Sequence, residues 1–403
     1  MKDKATTKPF YNSTIPSDWE VKKLGTLVEI VSGVSPSLFK LDVVGKYPYL
    51  KVEDLNNCQK YQTESREYSD DEKNVVPTNS VIFPKRGAAI LNNKVRINSV
   101  AMQMDSNLMA IYPKSQHLSY EYLYYQIIFE QLHKIADTST IPQINNKHII
   151  PYSFLLPPLP EQKAIAHILG LMDTAINKNN LLIAQKELQK KWLMQNLLTG
   201  KKRLKGHNEK WKEVRLNDVA EIDKLSLGNQ TPADYSFQYL TLSDIDSGNA
   251  EIKSVRIAFS EAPSRARRIV TKGDVLLATV RPNLQGFVII RDTIKDLIAS
   301  TGFAVITCTK INNEFLFQYL FTKNLMKQIE SFLVGSNYPA INSSDVKNLK
   351  IPYPPLKEQT AIAQVLQAAD KEIQLLKTKS EKLREQKKGM MQVLLTGKKR
   401  LKL

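Results

Sequence analysis

Two regions of this chain carry arginine, lysine and amide side chains at spacings suited to reading nucleic acid. In KRGAAILNNKVR, Lys85, Arg86, Lys94 and Arg96 fall within a dozen residues that contain no acid, Gly87 allows close backbone approach, and Asn92 and Asn93 can face base edges. The second region is split: Arg265, Arg267 and Arg268 cluster in SRARR, and Arg281, Asn283 and Gln285 share the segment RPNLQ. Arginine pairs bidentately with guanine, and asparagine or glutamine with adenine, in the major groove; cations on phosphates add affinity without sequence information. A matched loop in each half, TSTIPQIN and GSNYPAIN, adds Thr140, Gln143, Asn145, Asn337, Tyr338 and Asn342. Taken singly, each cation is equally an ordinary surface charge, and each loop equally a structural turn set by Pro142 or Pro339. Together, and repeated in both halves, they predict two DNA-facing surfaces.

No catalytic constellation accompanies them. The chain has no GxxxxGK phosphate loop, no glycine-rich dinucleotide turn after a strand, no HExxH, no GxSxG, and no asparagine-proline-proline-aromatic tetrapeptide. Asp244 or Asp246 with Glu251, Ile252 and Lys253 is the nearest nuclease-like group, and it reads as solvated loop. Cys58 and Cys308 lie in different halves without CxxC spacing, and the five histidines show no ligand spacing, so neither a disulfide nor a metal site is expected. The expectation is a binding protein with no cofactor of its own. The rivals are a DNA-modifying or DNA-cleaving enzyme with an unrecognised site, and a scaffold without a DNA role.

The elements that must position these residues repeat. Pro157 to Lys205 and Pro354 to Lys402 match without a gap at about half their positions, from PPLPEQ or PPLKEQ to LLTGKKRLK. Prolines precede each copy, Glu161 or Glu358 suits a helix N-terminus, and Gly200 or Gly397 with a basic cluster marks the end. Between them runs a heptad seam. In the first copy it is Ile165, Leu169, Met172, Ile176, Asn179, Ile183, Lys186, Lys190, Leu193 and Leu197; in the second, Ile362, Leu366, Ala369, Ile373, Leu376, Ser380, Leu383, Lys387, Met390 and Leu394. Asn179, Lys186 and Lys190 weaken the seam but can fix its register. Glu161 to Leu198 would form a rod of roughly 57 Å, which needs a partner, and the second copy is the obvious one.

The 403 residues carry a net charge of +17, of which residues 161–206 hold +6 and residues 357–403 hold +7. Such an excess points to a polyanion, although lysines in mid-helix also serve as a solvated face. With no apolar run near 18 residues and no apolar signal core at the N-terminus, the chain is expected to be cytoplasmic and free of the membrane.

Each half opens with tryptophan and leucine five residues on, IPSDWEVKKLG and WKEVRL. Short apolar runs then predict strands at 48–52, 80–83, 95–97 and 108–112, and at 238–242, 274–279, 286–290 and 303–307. An aromatic helix follows in each half, Tyr120 to His133 and Glu314 to Glu330, its rings spaced as core. The reading is a mixed α/β (α+β) fold with an internal pseudo-twofold repeat: two globular units separated by two long helices that form an antiparallel coiled coil. The expected segments are a first unit at 1–156, a helix at 157–206, a second unit at 207–353 and a helix at 354–403.

These motifs resemble the specificity subunits of type I restriction-modification systems: the PPLPEQ and PPLKEQ openings, the Ala-Ile-Ala that follows, the LLTGKKRLK endings and the W-x4-L starts. The resemblance covers the whole chain in order. It implies two target recognition domains, each reading one half of a split double-stranded DNA target, with the paired helices as a ruler for the unread spacer. It also implies docking of two modification (methyltransferase) subunits, bringing S-adenosylmethionine, and of restriction/translocase subunits that use ATP and magnesium.

Overall fold

The computed structural model describes residues 7–10, 13–137, 141–246, 249–250, 256–334 and 339–401. The chain divides into two compact units, Met1–Asn180 with Thr378–Leu403, and Leu181–Lys377. Each unit therefore takes the opening of one long helix and the closing part of the other.

In unit 1, a five-stranded sheet runs in the order Val28–Ser32, Leu108–Pro113, Val81–Pro84, Arg96–Asn98, Tyr61–Gln62, antiparallel except for its last pair. Val81–Pro84 is buried along its whole length, as a continuous apolar run in a central strand requires. A separate three-stranded sheet has the order Gln103–Met104, Tyr47–Leu50, Tyr68–Ser69, and Glu20–Lys23 pairs with Ser153–Leu156. The aromatic helix is Tyr120–Glu130, started by Ser119, whose hydroxyl accepts from the Tyr122 N–H. It stops short of the expected His133, because Gln131 turns to φ +63° and a separate turn, Leu132–Ile135, follows. Tyr122, Tyr124 and Tyr125 are buried, so these rings are core.

Unit 2 repeats the plan with differences. One antiparallel sheet has the order Ala220–Ile222, Phe303–Cys308, Val275–Ala278, Phe287–Ile289. A second has the order Arg256–Ala258, Ser236–Leu240, Leu297–Ser300, Ala266–Val270, with Ser236–Leu240 and Leu297–Ser300 parallel. Lys212–Arg215 pairs with Lys350–Tyr353, as Glu20–Lys23 does with Ser153–Leu156. The expected helix 314–330 is again two, Asn313–Leu320 and Lys323–Phe332, each with its own N-cap, Asn312 and Thr322.

Two helices of 39 residues each, Leu159–Leu197 and Leu356–Leu394, carry the repeat. Every residue of both predicted seams is buried or half-buried, while the polar residues between them are largely exposed. Within unit 1 the two helix segments run antiparallel: Asp173 binds Lys387 at 2.5 Å, and Asn179 Nδ2 donates to Ser380 Oγ at 2.9 Å. Within unit 2 the same holds, with Lys190 on Asp370 at 2.5 Å and Lys186 on Glu372 at 2.8 Å. The polar seam positions thus bind partners across the pair rather than facing each other unpaired. Among the described residues no helix is long and apolar enough to cross a membrane.

Candidate nucleic-acid interface

The interface is built where a central strand of each unit runs out into a short turn. In unit 1 the chain leaves Val81–Pro84 through Lys85 and Arg86, and Gly87 adopts φ +80°, a conformation that favours glycine, before the turn Ala88–Ile90. In unit 2 the chain leaves Val275–Ala278, Arg281 adopts φ +49°, and the turn Pro282–Leu284 follows. Backbone hydrogen bonds tie each turn to the matched loop of its unit. Gly87 N–H donates to Pro142 O at 2.9 Å and Ile144 N–H to Lys85 O at 2.9 Å; Arg281 N–H donates to Pro339 O at 2.8 Å and Ile341 N–H to Thr279 O at 2.9 Å. Segments 55 to 62 residues apart in sequence are therefore one surface in each unit.

In unit 1 that surface presents Lys85, Arg86, Asn92 and Gln143. Arg86 is exposed and bridged to Gln143 by backbone; with the Gln143 amide oxygen turned toward the guanidinium, it accepts from Nη2 at 2.8 Å and Nε at 3.2 Å. Lys85 is half-buried, and burial followed by the neighbouring Arg86 charge lowers its pKa. In unit 2 it presents Arg281, Asn283 and Gln285, with Arg265 adjoining, since Thr301 N–H donates to Arg265 O at 2.8 Å. Arg265, Thr279, Thr301 and Asn342 line a cleft of about 350 Å³ there. Two cationic and amide-bearing surfaces of this kind can bind phosphate and reach base edges.

Other residues singled out in the sequence have different work. Asn93 Nδ2 donates to Ile128 O at 2.9 Å and its Oδ1 accepts from Leu132 N–H at 3.0 Å, so its amide holds the end of the aromatic helix. Arg96 donates to Val95 O at 2.7 Å and its Nε is buried beside Cys58, whose pKa burial raises. Lys94 reaches Asn56 Oδ1 at 2.6 Å. The SRARR cluster is largely a strand, Ala266–Val270, rather than a loop: Arg268 pairs with Asp223 at 2.9 Å and Arg267 stacks over Phe259 at 4.7 Å. Asn145 and Asn342 are N-caps of Asn146–Ile149 and Ser343–Asn348, Asn342 Oδ1 accepting from Asp345 N–H at 3.0 Å. These interactions leave Asn93, Arg96, Arg267, Arg268, Asn145 and Asn342 poorly placed to read bases. Thr140, Asn337 and Tyr338 lie outside the described residues, as do Glu251, Ile252 and Lys253 of the nuclease-like group. Asp244 Oδ2 accepts from Thr241 N–H at 2.8 Å as part of a turn, and no group of acids, histidines and cysteines among the described residues could hold a metal.

A second construction recurs at the base of each unit, and the sequence motifs contain all its parts. Glu161 is almost fully buried and accepts from Trp19 Nε1 at 3.0 Å and bidentately from Arg400 at 2.6 and 2.7 Å. Glu358 does the same with Trp211 Nε1 at 3.0 Å and Arg203 at 2.6 and 2.6 Å. Gln162 bridges Ser119 N–H and Pro157 O, and Gln359 bridges Asn312 N–H and Pro354 O. Gly200 and Gly397, at φ +70° and +71°, lie against Trp211 and Trp19. The arginine of each KKRLK ending is thereby committed to a carboxylate, not to phosphate. Hydrogen bonding to Glu161 and then Asp18 raises the Arg400 pKa, so it stays charged.

The sequence profile described as type I restriction modification DNA specificity domain matches residues 16–185 and again 208–385. The chain belongs to this family. Each match contains one tryptophan opening, one arginine-bearing turn and one matched loop. The type I restriction enzyme MjaVIII specificity subunit of Methanocaldococcus jannaschii is 26% identical over 421 aligned positions, covering 98% of this chain and 96% of that protein. The EcoDI specificity subunit of Escherichia coli is 23% identical over 390, covering 86% and 80%. Among solved structures, the type I restriction-modification S subunit of M. genitalium shares the fold with a TM-score of 0.59 at 16% identity, over 96% of this chain and 98% of that one. A chain from a study of complex assembly and conformational transition of the type I R-M system does so with a TM-score of 0.62 at 17%, over 96% and 100%.

Proposed function

We infer that this chain is the DNA-specificity subunit of a type I restriction-modification complex, with unit 1 reading one half of a bipartite target and unit 2 the other. The observation that carries the reading is the recurrence, in both matched domains, of a strand-end turn hydrogen-bonded to a second loop and bearing arginine and amide side chains. Lys85, Arg86, Asn92 and Gln143 serve the first half-target; Arg265, Arg281, Asn283 and Gln285 serve the second. The paired helices act as the ruler: 39 residues at 1.5 Å each give about 58 Å, or roughly one and a half turns of duplex. Their outer faces dock two modification subunits, which supply S-adenosylmethionine and methylate adenine, and restriction subunits supply ATP-driven cleavage with magnesium. The subunit itself catalyses nothing and works in the cytoplasm. On this reading residues 1–156 and 207–353 are the recognition domains and 157–206 and 354–403 the helical regions.

The test is methylation mapping of genomic DNA from a host expressing the chain with its modification subunit. Methylated adenines in two blocks around a fixed unread spacer are expected. Assembly of the complex with no new methylated motif would count against the reading and favour a scaffold.

A further inference from the structure

Two exposed leucines sit on the arginine-bearing turns. Leu284 is 70% exposed and Leu91 60% exposed. A lone exposed leucine needs no explanation, but these two are displayed on pinned backbone. Leu284 N–H donates to Arg281 O at 3.0 Å, Gln285 N–H to Pro282 O at 2.9 Å, and Pro282 beneath is buried. Leu91 N–H donates to Ala88 O at 3.0 Å directly after buried Ile90. Asn283 and Gln285 flank Leu284, and Asn92 follows Leu91.

An apolar side chain among groups that hydrogen-bond base edges complements the apolar feature of the major-groove code, the thymine C5-methyl. We propose that Leu284 and Leu91 are specificity-determining contacts to thymine methyl groups, one in each half of the target. The inference rests on the reading that these turns face DNA. The backbone hydrogen bonds align Leu284 with Ile90 rather than with Leu91, so the exposed leucine stands one residue later in unit 1.

The test uses the full-length chain with its modification subunit and duplexes bearing the mapped target, with each thymine replaced in turn by deoxyuridine. One replacement in the half read by unit 2 should weaken binding about fourfold, as expected for one buried methyl group, and should have no effect on Leu284→Ala. Leu91→Ala should abolish one sensitivity in the other half only. Deoxyuridine sensitivity that persists in both variants overturns the inference, as does the absence of any sensitive thymine. So does a rise in 2-aminopurine fluorescence beside the site that Leu284→Ala removes, because that would make the leucine a wedge between bases. Arg281→Ala separates the two levels: if it weakens binding while the leucine results fail, the turn still faces DNA. If Arg281→Ala and Asn283→Ala also leave affinity and target unchanged, the underlying reading fails with it.

Discussion

The base of each unit and its arginine-bearing turn obey different rules. At the base, Trp19, Glu161, Gln162 and Arg400 are reproduced by Trp211, Glu358, Gln359 and Arg203, with hydrogen-bond lengths at Glu161 and Glu358 that agree within 0.1 Å, while Arg400 alone binds a second carboxylate, Asp18. The helix ion pairs follow suit, Asp173–Lys387 in unit 1 and Asp370–Lys190 in unit 2. At the turns the backbone hydrogen bonds recur but the side chains and the flanking dihedrals do not: Gly87 stands where Arg281 does, Arg86 where Val280 does, and Lys85 where Thr279 does, and Leu91 is right-handed where Gln285 is left-handed. A buried carboxylate with three charged or polar donors tolerates no drift, because each lost partner leaves a desolvated group behind. A solvent-exposed side chain on a fixed turn can change without cost to folding. The division separates a base that is kept in both units from turns whose side chains differ.

The strongest way to break the comparison is at the base. Glu358→Ala leaves Arg203 and Trp211 Nε1 without their acceptor and should destabilise unit 2 by about 3–5 kcal/mol. Glu161→Ala should cost unit 1 less, because Arg400 keeps the Asp18 carboxylate, with hydrogen exchange by mass spectrometry locating each loss. Equal losses would mean that the Asp18 pair contributes nothing. Next in size is Arg281→Ala, which should cost about 1–3 kcal/mol of discrimination at one base pair of one half-target, read by competition binding with substituted duplexes. Arg86→Ala should act on the other half alone. Smaller again, Asn342→Ala removes a helix cap and should lower stability by about 1 kcal/mol with the methylated motif unchanged; a changed motif would return Asn342 to the reading surface. Smallest is Lys377→Ala, whose pair with Glu187 at 2.8 Å is half exposed on both sides; about 0.5 kcal/mol or less is expected in urea denaturation.

How far the sequence reveals this depends on the range of the interaction. The helices were legible because a seam of ten positions repeats twice, and burial follows it residue by residue. The eight strands expected from short apolar runs were legible, within about two residues of their ends. Ala266–Val270 was not, since two arginines interrupt its alternation and the acid that accommodates Arg268 lies far away at Asp223. Asn93 looked like a base reader for the same reason: its partners, Ile128 and Leu132, are distant in sequence. The caps could have been found locally, as Asn342 is followed three residues later by Asp345, a capping-box spacing. The tryptophan, glutamate and arginine of the base were all visible as repeated letters. Their convergence was not, because Glu161 meets an arginine from the end of the other helix.

The central claim is that the two units read DNA independently on a shared frame. Replacing residues 1–156 with those of a related specificity subunit, and mapping methylation in a host that supplies the modification subunit, tests it most directly. The account predicts a motif in which one half changes while the other half and the spacer length stay as they were. A chimera that assembles and yet alters both halves together would contradict it.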